Sequence, residues 1–424
     1  MTLADWLSWQ ETLHPRLIDL GLERVSRVLQ RMGLAQPPHA VITVAGTNGK
    51  GSSVALLEAI YRAAGYRVGA YTSPHLLRYN ERIRVLGVEA SDAQLCEAFA
   101  RIDAARGEIS LSYFEFGTLA AFDIFQRAQL DIAILEIGLG GRLDAVNILD
   151  ADVALVTSIG IDHVEWLGPD RESIAREKAG IFRTGRPAIC GDPDVPESLR
   201  AHARETSAPL YCLERDFGYG ATVGDWSWWG RYGDAAARHE HLPLPNLRGA
   251  FQLRNAAAVL MALQPLLPRL PVSEAAVRQG LLDATLPGRF QLLPGPVTRI
   301  LDVAHNPHGA EVLARTLKEY PCAGRTLAVF SMLADKDIAG VVGMMREVID
   351  QWHVAALPAA RAASAEQLVQ ILGENAAQAV VHEHGSVTEA YHDAVTQARP
   401  GDRVVVFGSF YTVAEALPQA YNQP

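Results

Sequence analysis

Apolar residues along this chain follow two alternating rhythms. Residues 40–45 (Ala-Val-Ile-Thr-Val-Ala) form an unbroken apolar run ending at Gly46, the pattern of a strand buried on both faces. Val54, Leu57 and Ile60 then recur at helical spacing over residues 52–64, and the pattern stops at Gly65, where a helix C-terminus needs left-handed dihedrals. The same alternation predicts strands over 66–72, 130–137 and 152–159 and a helix over 116–129, while residues 17–32 read as an amphipathic opening segment. Strands alternating with helices imply a mostly parallel sheet.

From 187 to 246 the rhythm breaks into Gly, Pro and short alternating runs, which predicts a β-rich appendage whose Trp226, Trp228 and Trp229 either pin a hairpin or form a binding face. Helical patterns return over 253–267 and 273–284, and the Pro- and Gly-containing stretch 286–297, including Pro294, Gly295 and Pro296, reads as a linker. Beyond it, apolar runs at 299–304, 326–332, 353–357, 377–382 and 403–408 predict a second, smaller α/β domain over 298–424.

Length supports two domains, because 424 residues exceed the roughly 250–300 at which single cores stop growing. A formal charge of -10 without basic clusters excludes a nucleic-acid groove. Cys96, Cys190, Cys212 and Cys322 lie far apart without metal-ligand spacing and read as buried thiols of a reducing compartment. No basic stretch followed by an apolar one opens the chain, and no apolar run reaches membrane-spanning length, so the expected setting is cytoplasmic with no membrane partner. Without a heptad pattern, a monomer is expected.

Gly46-Thr-Asn-Gly-Lys50-Gly-Ser52 sits between a predicted strand and helix, where backbone N–H groups and the helix dipole receive phosphates and Lys50 adds a point charge. Val44 stands where the common phosphate loop has Gly, and Gly51 replaces its magnesium-binding Ser/Thr. Ser73, Glu136 and His163 fall at or beyond the ends of other predicted strands, the side of an open sheet where ligands bind. Glu136 and the Ser73 hydroxyl suit a magnesium ion; His163 is a less usual partner. Taken singly, Glu136 is as readily a cap and His163 a loop histidine, while Asp162 either orients His163 or caps a helix. Lys178 reads as an ordinary exposed helical lysine.

At this point the chain resembles the folylpolyglutamate synthases. GTNGKGS at 46–52, TSPHL at 72–76, LEIGLGGRLDA at 135–145, GPDRESI at 168–174, REKAGI at 176–181, LPGRF at 286–290, DVAHNPH at 302–308 and FGSF at 407–410 spread the resemblance over nearly the whole length. That family belongs to the Mur-ligase superfamily. The fold implied is α/β: an N-terminal P-loop ATPase-like domain over 1–285 and a Rossmann-like glutamate-ligase domain at the C-terminus. IDLGLERV at 18–25 and LSYFEF at 111–116 look like the pterin segments of the bacterial bifunctional type.

The resemblance implies ATP phosphates on Thr47, Asn48, Gly49 and Lys50, further nucleotide contacts from Asn255, Arg289 and Asp302, and two magnesium ions held by Ser73, Glu136, His163 and a carbamylated Lys178. It assigns the pteroate pocket to Ile18, Asp19, Leu20, Ser112, Tyr113, Phe114, Glu115, Leu143, Asp144 and Ala145. His305 lies near the implied glutamate site, as a proton relay or as a structural histidine. The implied activity is ATP-dependent addition of L-glutamate to dihydropteroate and reduced folates through an acyl phosphate. A monofunctional folylpolyglutamate synthase, another Mur-type amino-acid ligase and a non-ligating P-loop regulator are the competing expectations.

Overall fold

Six consecutive buried residues make β1 (Ala40–Ala45) the centre of the fold, because a strand without a polar face is stable only inside a sheet covered on both sides. The computed structural model describes residues 1–16, 18–293, 295–359, 361–376 and 378–422; Leu17, Pro294 and Ala377, which fell within predicted elements, lie outside them. It divides into one unit of Met1–Asn246 with Gln252–Thr285 and another of Leu247–Phe251 with Leu286–Pro424.

The first unit opens with helices α1 (Leu3–Leu13) and α2 (Glu23–Arg31), then β1 and α3 (Lys50–Ala63), β2 (Val68–Tyr71), β3 (Ile83–Val85) and β4 (Val88–Glu89). Helices α4 (Asp92–Arg106) and α5 (Tyr113–Arg127) lead to β5 (Ile132–Glu136), β6 (Val153–Val156), α6 (Val164–Leu167) and α7 (Arg171–Ala179). Next come β7 (Ala188–Cys190), α8 (Glu197–Glu205), β8 (Leu210–Cys212), and a meander of β9 (Phe217–Ala221), β10 (Asp225–Tyr232) and β11 (Ala235–Pro243). Helices α9 (Ala250–Leu263) and α10 (Glu274–Asp283) follow. The main sheet runs β4-β3-β2-β5-β1-β6-β7-β8, antiparallel only at β3 and β4.

The structure changes the sequence reading in several places. Residues 188–212, expected in the β-rich appendage, form β7, α8 and β8 and complete the parallel sheet; only 217–243 form a separate antiparallel sheet. Trp226 and Trp228 are fully buried there, and the Trp228 indole donates to the Ala257 carbonyl of α9 at 3.0 Å, so the meander is nailed to a helix as well as to itself. The opening amphipathic stretch is helical only from Glu23, since Asp19 is drawn off by His14 and Arg24, and Gly21 N donates to the Leu143 carbonyl at 3.2 Å. Cys190 and Cys212 are buried thiols, but Cys96 and Cys322 are only half-buried.

The second unit contains β12 (Gln291–Leu293), β13 (Thr298–Leu301), α11 (Pro307–Glu319), β14 (Thr326–Phe330), α12 (Ile338–Met345), β15 (Gln351–Ala355), α13 (Ala365–Asn375), β16 (Val380–His384), α14 (Val387–Gln397), β17 (Arg403–Phe407) and α15 (Phe410–Asn422). Its sheet runs β12-β13-β17-β14-β15-β16 and is parallel except for β12. Residues 291–293, expected in the linker, are thus an edge strand. No helix among the described residues is long and apolar enough to cross a membrane.

In the first unit α10 crosses α3 at Gly280, where a Cβ would lie 2.5 Å from the Ile60 Cα. Gly280→Val should therefore push the helices apart and cost about 1–3 kcal/mol of stability, read as a lower urea midpoint with unchanged slope. A wild-type midpoint would show that this crossing is loose.

Candidate active site

Neighbouring parallel strands end on one edge of a sheet, so register decides which loops meet. Val44 of β1 lies level with Glu136 of β5 on one side and Leu155 of β6 on the other, while Tyr71 of β2 faces Leu135 of β5. The segments after Ala45, Tyr71, Glu136 and Val156 consequently emerge together, the location where open α/β sheets bind ligands.

The Gly46–Lys50 turn is locked onto the end of β6. Thr47 N donates to the Ser158 carbonyl at 2.7 Å, Asn48 N to Ser158 Oγ at 3.1 Å, and Thr157 Oγ1 to the Asn48 carbonyl at 2.7 Å. Gly46 is required by approach: a Cβ there would stand 1.9 Å from Thr157 Oγ1. Gly49, at φ 87°, precedes the first residue of α3 without a side-chain cap, and its missing Cβ leaves room for Asn255, whose Oδ1 would be 2.7 Å away. The 14-residue α3 thus aims the positive end of its dipole at the turn. Lys50 Nζ folds back to donate to the Gly46 and Thr47 carbonyls at 3.0 and 3.3 Å, forming an arch of donors around the turn.

Ser73 and Glu136 meet directly, the Ser73 N–H donating to Glu136 Oε2 at 3.2 Å. Glu136 is buried and His163 exposed, the latter with φ 52° at the start of α6. Lys178 departs most from expectation. Instead of an exposed helical lysine it is only 3 % exposed, and burial together with the charge of Lys50 pulls its ammonium down to about 7, against the favourable fields of Asp162 and Asp144. The turn of α7 that carries it is pinned by Arg142 N donating to the Glu177 carbonyl at 2.8 Å, with Gly141 packed beneath. Asp144 accepts from Leu139 N at 2.8 Å and Val146 N at 2.9 Å, yet its complete burial outweighs these bonds and raises the carboxyl to about 7.

A second cluster joins three segments distant in sequence. Arg24 donates to Asp19 at 2.7 Å and to Glu115 at 3.1 Å, and His14 Nε2 lies 3.0 Å from Asp19. Glu115 also completes the capping box of α5 with Ser112, accepting from its N–H at 2.7 Å. Gly138 gives the Phe114 ring room, a Cβ there lying 2.6 Å from Cζ. Ile18, Leu20, Tyr113 and Leu143 are half-buried around these groups, and Ala145 is buried.

Residues 44–211 match the Mur ligase middle domain and 288–410 the Mur ligase glutamate ligase domain. The dihydrofolate synthase/folylpolyglutamate synthase of Escherichia coli (strain K12) is 50% identical over 415 residues, covering 98% of this chain and 94% of the relative. The chain belongs to the dihydrofolate synthase/folylpolyglutamate synthase family. A Haemophilus influenzae synthase is 42% identical, over 97% of this chain and 96% of its own. Among solved structures, E. coli FolC in complex with DHPP and ADP superposes on this synthase with a TM-score of 0.93, covering 99% and 97% of the two chains at 50% identity. A bifunctional synthase with Mn, AMPPNP and L-glutamate bound gives 0.91, covering 99% and 98% at 47% identity.

The remaining expected residues of the synthase cluster in its second unit. Asp302 accepts from the Phe290 and Ala304 N–H groups at 2.8 Å each, its carboxyl raised by burial and held back by Arg289. Arg289 lies over the Phe410 ring at 5.0 Å, and His305 approaches the same ring at 6.1 Å while its Nδ1 stands 2.9 Å from the Val303 carbonyl. Sequence reasoning missed Arg24, Thr157 and Ser158, which position the expected residues. Arg24 lay inside the IDLGLERV segment, but nothing local in the sequence marks Thr157 or Ser158.

Because folding lowers Lys178 from 10.5 to about 7, the unfolded chain holds the extra proton between those values. Stability should rise with pH through that window and fall as pH drops across it, the loss being complete near 7, below which both states carry the proton. In carbon-dioxide-free buffer, Lys178→Met should flatten this part of the urea-derived stability curve; an unaltered slope would contradict the buried position.

Proposed function

We propose that this synthase uses ATP to join the amine of L-glutamate to the carboxylate of dihydropteroate, making dihydrofolate, and to reduced folates, building polyglutamate tails. One observation carries the proposal: the phosphate turn and the Ser73–Glu136 pair stand at the carboxyl edge of the same parallel strands, with buried Lys178 of α7 close enough to Lys50 to feel its charge. Small molecules are the assigned partners, and the setting is a monomer in the cytoplasm without nucleic acid or membrane.

The donors fit magnesium. Ser73 is joined to buried Glu136 through its N–H, bringing a hydroxyl and a carboxylate to one strand edge, and His163 follows β6, the other neighbour of β1. Lys178 is a buried amine whose proton is weakly held, the state in which an amine adds carbon dioxide and becomes an anionic oxygen donor. We therefore assign Ser73, Glu136 and His163 to one ion and the Lys178 carbamate to a second. Magnesium, when bound, would neutralise phosphate charge.

Thr47, Asn48, Gly49 and Lys50 line the triphosphate, the N–H groups that open α3 and the Lys50 ammonium donating to it while the Thr47 and Asn48 N–H groups stay on Ser158, with Asn255, Arg289 and Asp302 as nucleotide contacts. Lys50 exchanges its loop carbonyls for phosphate oxygens and opposes the charge that develops as the pterin carboxylate attacks the γ-phosphorus. ADP leaves, and the acyl phosphate remains. The glutamate amine then attacks the carbonyl carbon, phosphate departs with the carbon–oxygen electron pair, and the amine sheds a proton. His305 is our candidate acceptor of that proton. Arg24 keeps Asp19 and Glu115 together, so the segments carrying Ile18, Leu20, Ser112, Tyr113 and Phe114 present one face to the pterin alongside Leu143, Asp144 and Ala145.

Incubation with dihydropteroate, glutamate and ATP should give dihydrofolate by mass spectrometry, with tetrahydrofolate giving glutamylated products in parallel. Turnover of tetrahydrofolate alone would make the enzyme monofunctional. Lys50→Ala should lower the ligation rate about 100- to 1000-fold, and Glu136→Gln should raise the magnesium requirement; near-normal values would remove each residue from its role. Labelled bicarbonate should give a carbamate carbonyl signal in ¹³C NMR that Lys178→Met abolishes, whereas no signal in the wild type would overturn the modification.

A further inference from the structure

A group of titratable side chains in the second unit lies outside the residues assigned to ligation. Parallel register sets His353 of β15 opposite His382 of β16, and His384, two residues on, shares their face. The three imidazoles stack, His353 lying 4.8 Å from the His382 ring and 5.3 Å from the His384 ring, both inclined by 17°. Helix α14 packs across this face and supplies Asp393.

Three donor atoms converge. His353 Nδ1 lies 3.2 Å from His384 Nε2 and 3.2 Å from Asp393 Oδ2, and the last two are 3.6 Å apart. Protons do not satisfy this triangle: if His353 donates to Asp393, its contact with His384 loses its donor on that side, and 3.6 Å is too long for a good third bond. The Nε2 atoms of His353 and His382 are also buried without a hydrogen-bond partner among the described residues, so hydrogen bonding does not explain why the rings gather. A tetrahedral cation with bonds of about 2.0–2.1 Å holds its donors roughly 3.3–3.4 Å apart. The observed edges match that spacing.

We propose that His353 Nδ1, His384 Nε2 and Asp393 Oδ2 form a tetrahedral site for a divalent transition metal such as zinc. His353 is fully buried, whereas the His384 and Asp393 side chains are 14% and 36% exposed, so the fourth position is reached from their side. There a cavity of about 550 Å³ opens, lined by His384, Thr388, Glu389, His392, Asp393 and Thr396. Two imidazoles select zinc-like ions over magnesium, which separates this site from the oxygen-rich donors around Glu136. Because β16 is the last strand of its sheet, the ion would staple that edge to α14.

The test uses the full chain, stripped with chelator and then saturated with magnesium and a non-hydrolysable ATP analogue, which occupy the nucleotide site. Titration with cobalt(II) should give one equivalent with the intense visible absorption of tetrahedral coordination, displaced by zinc. His384→Ala and Asp393→Asn should each weaken binding at least about tenfold while leaving magnesium-supported ligation unchanged. Weak octahedral-type absorption in the wild type would overturn the proposal, as would wild-type affinity in either variant. Asp393→Asn preserves shape, so it decides the matter if the alanine variant fails to fold; metal-free melting curves check both.

Discussion

The parallel pairing of β1 with β5 and β6 is the constraint on which the rest of the first unit depends. All six residues of β1 are buried, so the strand has no alternative edge position. A one-residue slip would turn its pleat over and carry the Gly46–Lys50 turn away from its anchors at the end of β6. Those anchors are a backbone bond from Thr47, the Ser158 and Thr157 hydroxyls on Asn48, and a close approach at Gly46, and they rigidify the turn before any ligand arrives. Ser73 and Glu136 are delivered to the same edge by the pairing of β2 with β5.

That edge concentrates charge in poorly hydrated surroundings. Lys178 and Asp144 are buried close enough to Lys50 to feel its field, and burial weakens the charged form of each. A site prepared in this way gains more from polyanionic ligands than an exposed one, since the protein's dipoles are already oriented and water screens them less. Nearby, Asp19, Arg24 and Glu115 use opposite charges to hold the chain entering α2 against the start of α5. In that cluster electrostatics serves geometry.

The second unit uses strand ends in the same manner, with Asp302 and His305 following β13 and Asp302 bridging the backbone at Phe290 and Ala304. Its far edge is different. The histidines of β15 and β16 are assembled by strand register and one helix, remote in the sheet order from β13. Chemistry at the two ends of one sheet can therefore be altered independently.

Much of the architecture was legible in the chain itself. Apolar runs located β1, β2, β5, β6 and four strands of the second unit to within about three residues at either end, because fully buried strands leave an unbroken hydrophobic signature. The strand–turn–helix setting of Gly46–Lys50 likewise depends on local order alone. Other features required three dimensions. Strands β7 and β8 are only three residues each and are held by neighbours in the sheet, so their short runs looked like an irregular appendage. Lys178 carries no local sign of burial, since its α7 backbone packs on the loop around Gly141, a distant part of the chain. The same holds for Arg24, Thr157, Ser158 and the His353–His384–Asp393 triangle. Hydrophobic period is written into neighbouring residues, whereas desolvation and convergence are properties of segments that meet only after folding.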